Sequence, residues 1–338
     1  MASILVLSEN GRELPIANKL KSEGHIVKVW IKNGNGEILK DSRNPSRIQN
    51  PTRLMEQYDL ILASGRVPEQ AQLAWDAGKM VLGCNSVMGK LMTDIGYQQK
   101  VLDFILGKQE LIEGIEIRLT GWVSESGFTP LFLLSLPSLY FMEGDKGVKT
   151  GGMGSLVVTL PQDSNLTKLL LPFGEYLQKA RYLGPFTASF KIKNTLWNIL
   201  EVTSCFIPED IIAMAEILKC SLFEFLFGLL EGRKGEAWES FGLSVNLTAP
   251  PWPYMGPPIK VGYIEVPEPA KNHFSPADLW LGVLGVASAR GWDVREARRR
   301  VYRTVSNSVV DRTCQYREDI GLTQEKDLQA LREWGWVI

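Results

Sequence analysis

Gly144-Asp145-Lys146-Gly147-Val148-Lys149-Thr150-Gly151-Gly152-Met153-Gly154 places five glycines in eleven residues. Packing alone gives no reason to omit so many side chains in one place. Glycines this dense let the backbone enter φ > 0 and let a ligand touch the main chain. Asp145, Lys146, Lys149 and Thr150 stand among them. That mixture points to a small, polar, charged ligand held partly by backbone N–H groups.

Upstream of this run, the chain reads as strand–turn–helix repeated. Ser3–Leu7, His25–Ile31, Tyr58–Ala63 and Met80–Leu82 are apolar runs of strand length. Leu14–Ser22 and Gln70–Ala77 carry helical spacing. The alternation predicts a parallel α/β domain over residues 1–95. Ligands of such sheets sit beyond the carboxyl ends of the strands, which brings forward Asn10-Gly11-Arg12-Glu13 and Gly65–Glu69.

From about Leu111 the pattern lengthens. Ile115–Val123, Leu131–Leu136, Ser155–Thr159, Phe186–Ile192 and Leu196–Val202 read as strands of a mixed or antiparallel sheet. Leu166–Ala180 and Pro208–Leu218 read as helices. This predicts a central domain over 96–248. Ala249-Pro250-Pro251-Trp252-Pro253 and Gly256-Pro257-Pro258 mark a boundary, because proline blocks helix and central strand alike. A small α+β unit follows over 249–338. In it Ala277–Gly285 reads as strand or helix, and Asp293–Ser306 as a helix opened by an Asp cap.

Composition narrows the function classes. Of 338 residues, 45% are hydrophobic and 22% charged, and the net charge is −1, so no global field favours nucleic acid or a membrane. Four cysteines without a CxxC and only two histidines fit free thiols in a reducing cytoplasm and supply neither a zinc site nor a Ser–His–Asp triad. No membrane-spanning run and no leader pattern is read. Arg295-Glu296-Ala297-Arg298-Arg299-Arg300 is a local basic segment whose plainest reading is a solvated helix face. The tryptophans are spread along the chain and form no stacking stripe.

Several segments, in order, resemble the glycinamide ribonucleotide synthetase (phosphoribosylamine–glycine ligase) family of the ATP-grasp superfamily. Gly11-Arg12-Glu13 resembles that family's opening loop, with Leu14 where the family has histidine. Pro68-Glu69 resembles its Gly-Pro-Glu turn, and Gly114–Arg118 its Gly-Glu-Glu strand entry. Gly144–Gly154 resembles its Thr-Gly-Gly-Met-Gly motif, and Tyr316–Gly321 its closing Arg-x-Asp-Ile-Gly. Glu201–Phe206 stands where the family has Glu-Phe-Asn-x-Arg-Phe.

The departures matter equally. The family's lid subdomain, with its Gly-rich phosphate loop, falls where this chain has only Gly96–Ile115, so the resemblance implies a deleted lid. Thr203 replaces the Asn of the metal pair, and Cys205 replaces an arginine. ATP and Mg²⁺ lose the charge they need, and no cofactor is assigned.

The resemblance implies that Asp145 and the run Thr150, Gly151, Gly152, Met153 and Gly154 lie near a glycine site. It also implies that Gly11, Arg12, Glu13, Glu69, Arg317 and Asp319 lie near a phosphorylated acceptor. Asp145 or Glu201 would orient or deprotonate the amino acid. The expected activity is transfer of glycine or another amino acid, without ATP, to a pre-activated phosphorylated nucleotide or modified DNA base. Two alternatives stand beside it: an ATP-dependent ligase with a rebuilt nucleotide site, and a non-catalytic ligand- or partner-binding relative.

Overall fold

The computed structural model describes residues 1–33, 45–64, 66–254, 273–277, 282–308 and 314–337. Gly65, the Gly256-Pro257-Pro258 boundary and residues 278–281 of the Ala277–Gly285 stretch lie outside the described residues.

The first layer is a five-stranded parallel sheet in the order β3-β2-β1-β4-β5. Its strands are β1 (Ser3–Ser8), β2 (Ile26–Ile31), β3 (Ser46–Arg47), β4 (Leu60–Ala63) and β5 (Val81–Gly83). Helices α1 (Leu14–Ser22) and α2 (Pro68–Asp76) accompany it, while α3 (Ser86–Thr93) and α4 (Ile95–Leu106) send Met88, Leu91 and Leu102 into the core of the second layer. β1 is central and Ile4–Leu7 are buried, as a parallel strand covered on both faces requires.

The last two helices are opened by side chains. Asn85 accepts a bond from Met88 N–H at 3.0 Å, and Asp94 accepts one from Tyr97 N–H at 2.9 Å. Residues 107–114 then join α4 to the next strand.

The second layer is an eight-stranded antiparallel sheet in the order β12-β11-β6-β7-β10-β13-β15-β14. It comprises β6 (Ile115–Ser124), β7 (Gly127–Pro137), β10 (Gly154–Leu160), β11 (Gly184–Lys193), β12 (Leu196–Thr203), β13 (Phe241–Thr248), β14 (Phe274–Pro276) and β15 (Val283–Gly291). A separate hairpin, β8 (Tyr140–Met142) and β9 (Lys146–Lys149), carries the first half of the glycine-rich run.

Alternation along β7 shows why this sheet is apolar on both sides. Leu131 and Leu133 enter one core with Ile211, Ile212 and Phe225 of the covering helices. Phe132, Leu134 and Leu136 enter the other, with Leu166, Leu170 and Phe173.

Helices α6 (Pro208–Ile217) and α7 (Leu222–Leu230) fill the space toward the parallel sheet. Helices α8 (Val294–Ser308) and α9 (Leu322–Glu333) cover the far face. Strands on either side of residue 249 belong to one sheet. The two sheets meet where Gly83 N–H donates to Leu183 O at 2.7 Å.

One expected helix is broken. Leu166–Ala180 becomes two 3₁₀ turns, Thr167–Leu169 and Leu171–Phe173, followed by the short α5 (Gly174–Lys179). Pro172 lacks the N–H that a continuous helix would use. Helices α3, α4, α7 and α9 and strands β3, β8, β9, β13 and β14 are additions to the elements read from sequence.

Candidate functional site

The β1–α1 turn sets the first wall. Ser8 Oγ accepts a bond from Gly11 N–H at 2.9 Å, and its own hydroxyl donates to the Glu13 carboxylate. Glu13 is buried, and burial pushes its carboxyl above the usual range against the help of Ser8. Glu13 therefore shapes the turn from beneath. Arg12 points the other way. Its Nη2 donates to Gly151 O at 2.9 Å and to Glu209 Oε1 at 3.0 Å.

Helix α6 sets the second wall. Pro208 opens it, and Glu209 and Asp210 occupy its first turn, where the helix dipole favours negative charge. Both acids are buried, at 1% and 3% exposure. Two carboxylates taken out of water require cations. Arg12 is one. Arg118 on β6 is the other, with Nη1 3.5 Å from Glu209 Oε1 and 3.4 Å from Asp210 Oδ2.

Arg118 also donates to Gly151 O at 3.3 Å, so that carbonyl receives both guanidinium groups. Glu209 holds the Arg12 guanidinium above its ordinary range. Burial raises the Asp210 carboxyl, with Arg118 acting in the opposite sense.

The glycine-rich run forms the floor. Gly152 has φ +141°, and a Cβ there would stand 2.3 Å from Glu209 Oε1. Gly154 has φ +147°, and its Cβ would stand 2.2 Å from Ser244 O. Gly152 thus lets the run close on α6, and Gly154 lets β10 close on β13. Thr150 Oγ1 accepts from Gly152 N–H at 3.1 Å and donates to Leu139 O at 2.9 Å. Met153 is buried, with its N–H on Ser138 O at 2.7 Å. From β13, Asn246 Nδ2 donates to Gly152 O at 2.8 Å.

These walls enclose a cavity of about 230 Å³ lined by Gly11, Arg12, Gly151, Gly152, Glu209 and Asn246, with Trp252 and Val286 on its apolar side. Asn246 Oδ1 and Asp210 Oδ1 are buried without a hydrogen-bond partner. Ser155 is close enough to Asp210 to favour its ionised form, yet Ser155 Oγ also lacks a partner in hydrogen-bond geometry. A buried polar atom without a partner is costly, and of these three residues Asn246 lines the cavity, where a polar ligand would satisfy its Oδ1.

The other expected site residues lie elsewhere. Arg317, 1% exposed, is held by Asp319 at 2.7 and 2.6 Å, by Asp145 at 2.8 Å and by Tyr140 O at 3.0 Å. Asp319 also accepts Gly144 N–H at 2.9 Å. Asp145, Arg317 and Asp319 therefore share one ion-pair cluster under the β8–β9 hairpin. Glu69 is exposed and 3.3 Å from Lys32 Nζ.

Glu201 is exposed on β12, the end strand of its sheet, and away from the cavity lining. Nearby, Thr203 Oγ1 already accepts Cys205 N–H at 3.0 Å. Of the two positions the resemblance gives to a metal, one is thus an exposed carboxylate and the other a hydroxyl engaged with its own backbone. Among the described residues no group of three His, Cys, Asp or Glu is placed to hold a metal, and no helix is long and apolar enough to cross a membrane.

Sequence reading missed Glu209, Asp210 and Asn246. Pro-Glu-Asp is an ordinary way to begin a helix, which hid the first two. Their signal was two adjacent acids at the head of an otherwise apolar helix.

No protein-family model matches the sequence, and no curated protein matches it. Solved structures do. A phosphoribosylamine–glycine ligase from Thermotoga maritima superposes with a TM-score of 0.65 at 18% identity, covering 94% of this chain and 100% of that one. The urea carboxylase of Kluyveromyces lactis gives 0.61 at 11% identity, over 99% of this chain and 32% of that one. An N5-carboxyaminoimidazole ribonucleotide synthetase from Thermotoga maritima gives 0.54 at 11%, over 94% and 99%. At these identities the likeness establishes the fold alone: a parallel sheet beside an antiparallel one, arranged as in these three enzymes.

Proposed function

We propose that the chain is a carbon–nitrogen bond-forming enzyme that binds glycine or another small amino acid under Arg12. It transfers that amino acid, without ATP, to a pre-activated phosphorylated nucleotide or activated DNA base. The observation that carries this reading is the meeting of opposite charges at one small cavity, Arg12 and Glu209 at 3.0 Å above the Gly151-Gly152 backbone.

An amino acid is a compact zwitterion, and it needs a cation and an anion within a few ångströms. The Arg12 fork suits its carboxylate. Glu209 and the unpartnered Asn246 Oδ1 suit its ammonium. At about 230 Å³ the cavity is smaller than the roughly 300–1,000 Å³ that drug-sized ligands use.

In this reading the amine gives one proton to Glu209 and becomes nucleophilic. Its lone pair forms the new C–N bond as the acceptor's C–O bond to phosphate or pyrophosphate breaks. The electron pair leaves with the phosphate, one further proton passes from nitrogen to water, and the product N–H keeps the third. The acceptor supplies the driving force, so no ATP is consumed. The short 107–114 connection and the donors around Glu201 are consistent with loss of the lid and metal pair that the family resemblance implies.

The reading is tested with labelled glycine and a pyrophosphorylated nucleoside or DNA acceptor, free of ATP. It predicts a glycine-bearing product with equal release of pyrophosphate, and a loss of roughly hundredfold in rate for Glu209→Gln. Product that forms only with ATP and Mg²⁺ would favour the ATP-dependent ligase and overturn it.

A further inference from the structure

We propose that a second cleft, beyond the opposite end of β15 from the amino-acid cavity, is an oxyanion site that takes phosphate groups. The cleft measures about 590 Å³ and is lined by Arg290 of β15, Arg300, Arg303 and Asn307 of α8, His273 and Glu216.

The basic segment Arg295–Arg300 divides on folding. Arg295 lies 3.6 Å from Glu325, and Arg298 turns to Glu318 O at 2.6 Å and stacks over Tyr302. Arg300 and Arg303, three residues apart and so on one helix face, line the cleft instead.

Three features make this more than a solvated helix face. First, the arginines surround a concave space between separate elements rather than a convex surface. Second, two of them are ordered in place. The Arg290 guanidinium lies 5.5 Å from the Trp238 ring and 5.4 Å from the Trp292 ring. Arg300 donates to Arg290 O at 3.2 Å and to Glu296 at 2.6 Å. Third, among the described lining residues the one carboxylate is already neutralised. Glu216 accepts Ser288 Oγ at 2.7 Å and faces His273 Nδ1 at 3.0 Å, with Lys19 of α1 close enough to add its charge.

The imidazole of His273 is in turn held above its usual range by that hydrogen bond. What remains facing the opening is guanidinium, imidazole and amide N–H, a donor set suited to phosphate oxygens.

β15 places the two sites apart. Val283 and Val286 reach the amino-acid cavity, and Ala289 and Arg290 reach this cleft. These positions are three to seven residues apart, about 10–23 Å at roughly 3.3 Å per residue, too far for one phosphate to serve both. The phosphates come either from a nucleic-acid strand that extends past the first cavity or from a free phosphorylated molecule.

Calorimetric titration with inorganic pyrophosphate and anisotropy with a short labelled single-stranded DNA distinguish these. The site predicts binding of at least one probe, weakened tenfold or more in Arg300→Ala/Arg303→Ala with an unchanged thermal transition. Asn307→Asp, which adds a negative charge at the opening, gives a second reading on a folded protein. DNA binding that falls with salt and is displaced by pyrophosphate identifies a strand. Pyrophosphate binding alone identifies a free phosphorylated ligand. If neither probe binds at low salt, or if both variants bind as the parent does, the proposal fails. Glycine titration of the first cavity is a separate readout, so the two proposals stand or fall independently.

Discussion

Arg12 and Gly152 together decide what the cavity can hold. Gly152 lets Glu209 approach the glycine-rich backbone, and Arg12 neutralises that acid while keeping 43% of its own side chain exposed. Gly152→Ala brings a Cβ against Glu209 Oε1 in a conformation that L side chains rarely adopt. The expected cost is about 1–3 kcal/mol in urea unfolding, together with at least a tenfold loss of glycine affinity. Gly11, Arg12, Gly151 and Gly152 were legible in the sequence because their glycines have no simpler use. Glu209 and Asn246 were not, because an acid at a helix head and a polar residue in a buried strand have common structural uses. The three-dimensional meeting of α6 with β10 and β13 is what gives them another role.

At the level of elements, the seam between the β8–β9 hairpin and α9 is built on charge. Arg317 draws Asp145 and Asp319 together, and Asp327 of α9 faces the same place. Burial, with the Asp145 charge adding to it, pushes the Asp327 carboxyl up to about 6. The folded state therefore binds this proton more tightly than the unfolded chain. The stability it contributes is complete below the ordinary value of 3.8 and is lost as pH rises through about 6. Asp327→Asn should match the parent near pH 4 and melt roughly 2 °C higher above pH 6, read by scanning calorimetry across that range. Equal melting points at both pH values would contradict the assignment. The glycine-rich run, which reads as one loop, thus serves two elements. Gly144–Lys149 turns a hairpin onto the Arg317 cluster, and Thr150–Gly154 enters the sheet at the cavity. Sequence spacing could not divide it, because the partners lie more than ninety residues away at Asn246 and beyond at Asp319.

For the whole molecule, the parallel and antiparallel layers were readable from the change in strand length near residue 111. Their shared core was harder to see, since β7 feeds both sides with a single unbroken apolar run. The cavity lies where the two layers face each other, with its residues drawn from α1, the approach to β10, α6 and β13. Neither layer alone contains both Arg12 and Glu209. The joint between the layers is therefore the proposed binding site, and a small zwitterion its proposed ligand. Calorimetric titration of the purified chain without nucleotide, using glycine, acetate and methylamine in turn, is the decisive measurement. Such a site binds glycine saturably, binds either single-charge analogue at least tenfold more weakly, and loses glycine in Arg12→Ala. Absence of glycine binding to the parent, or equal affinity for all three molecules, would contradict it.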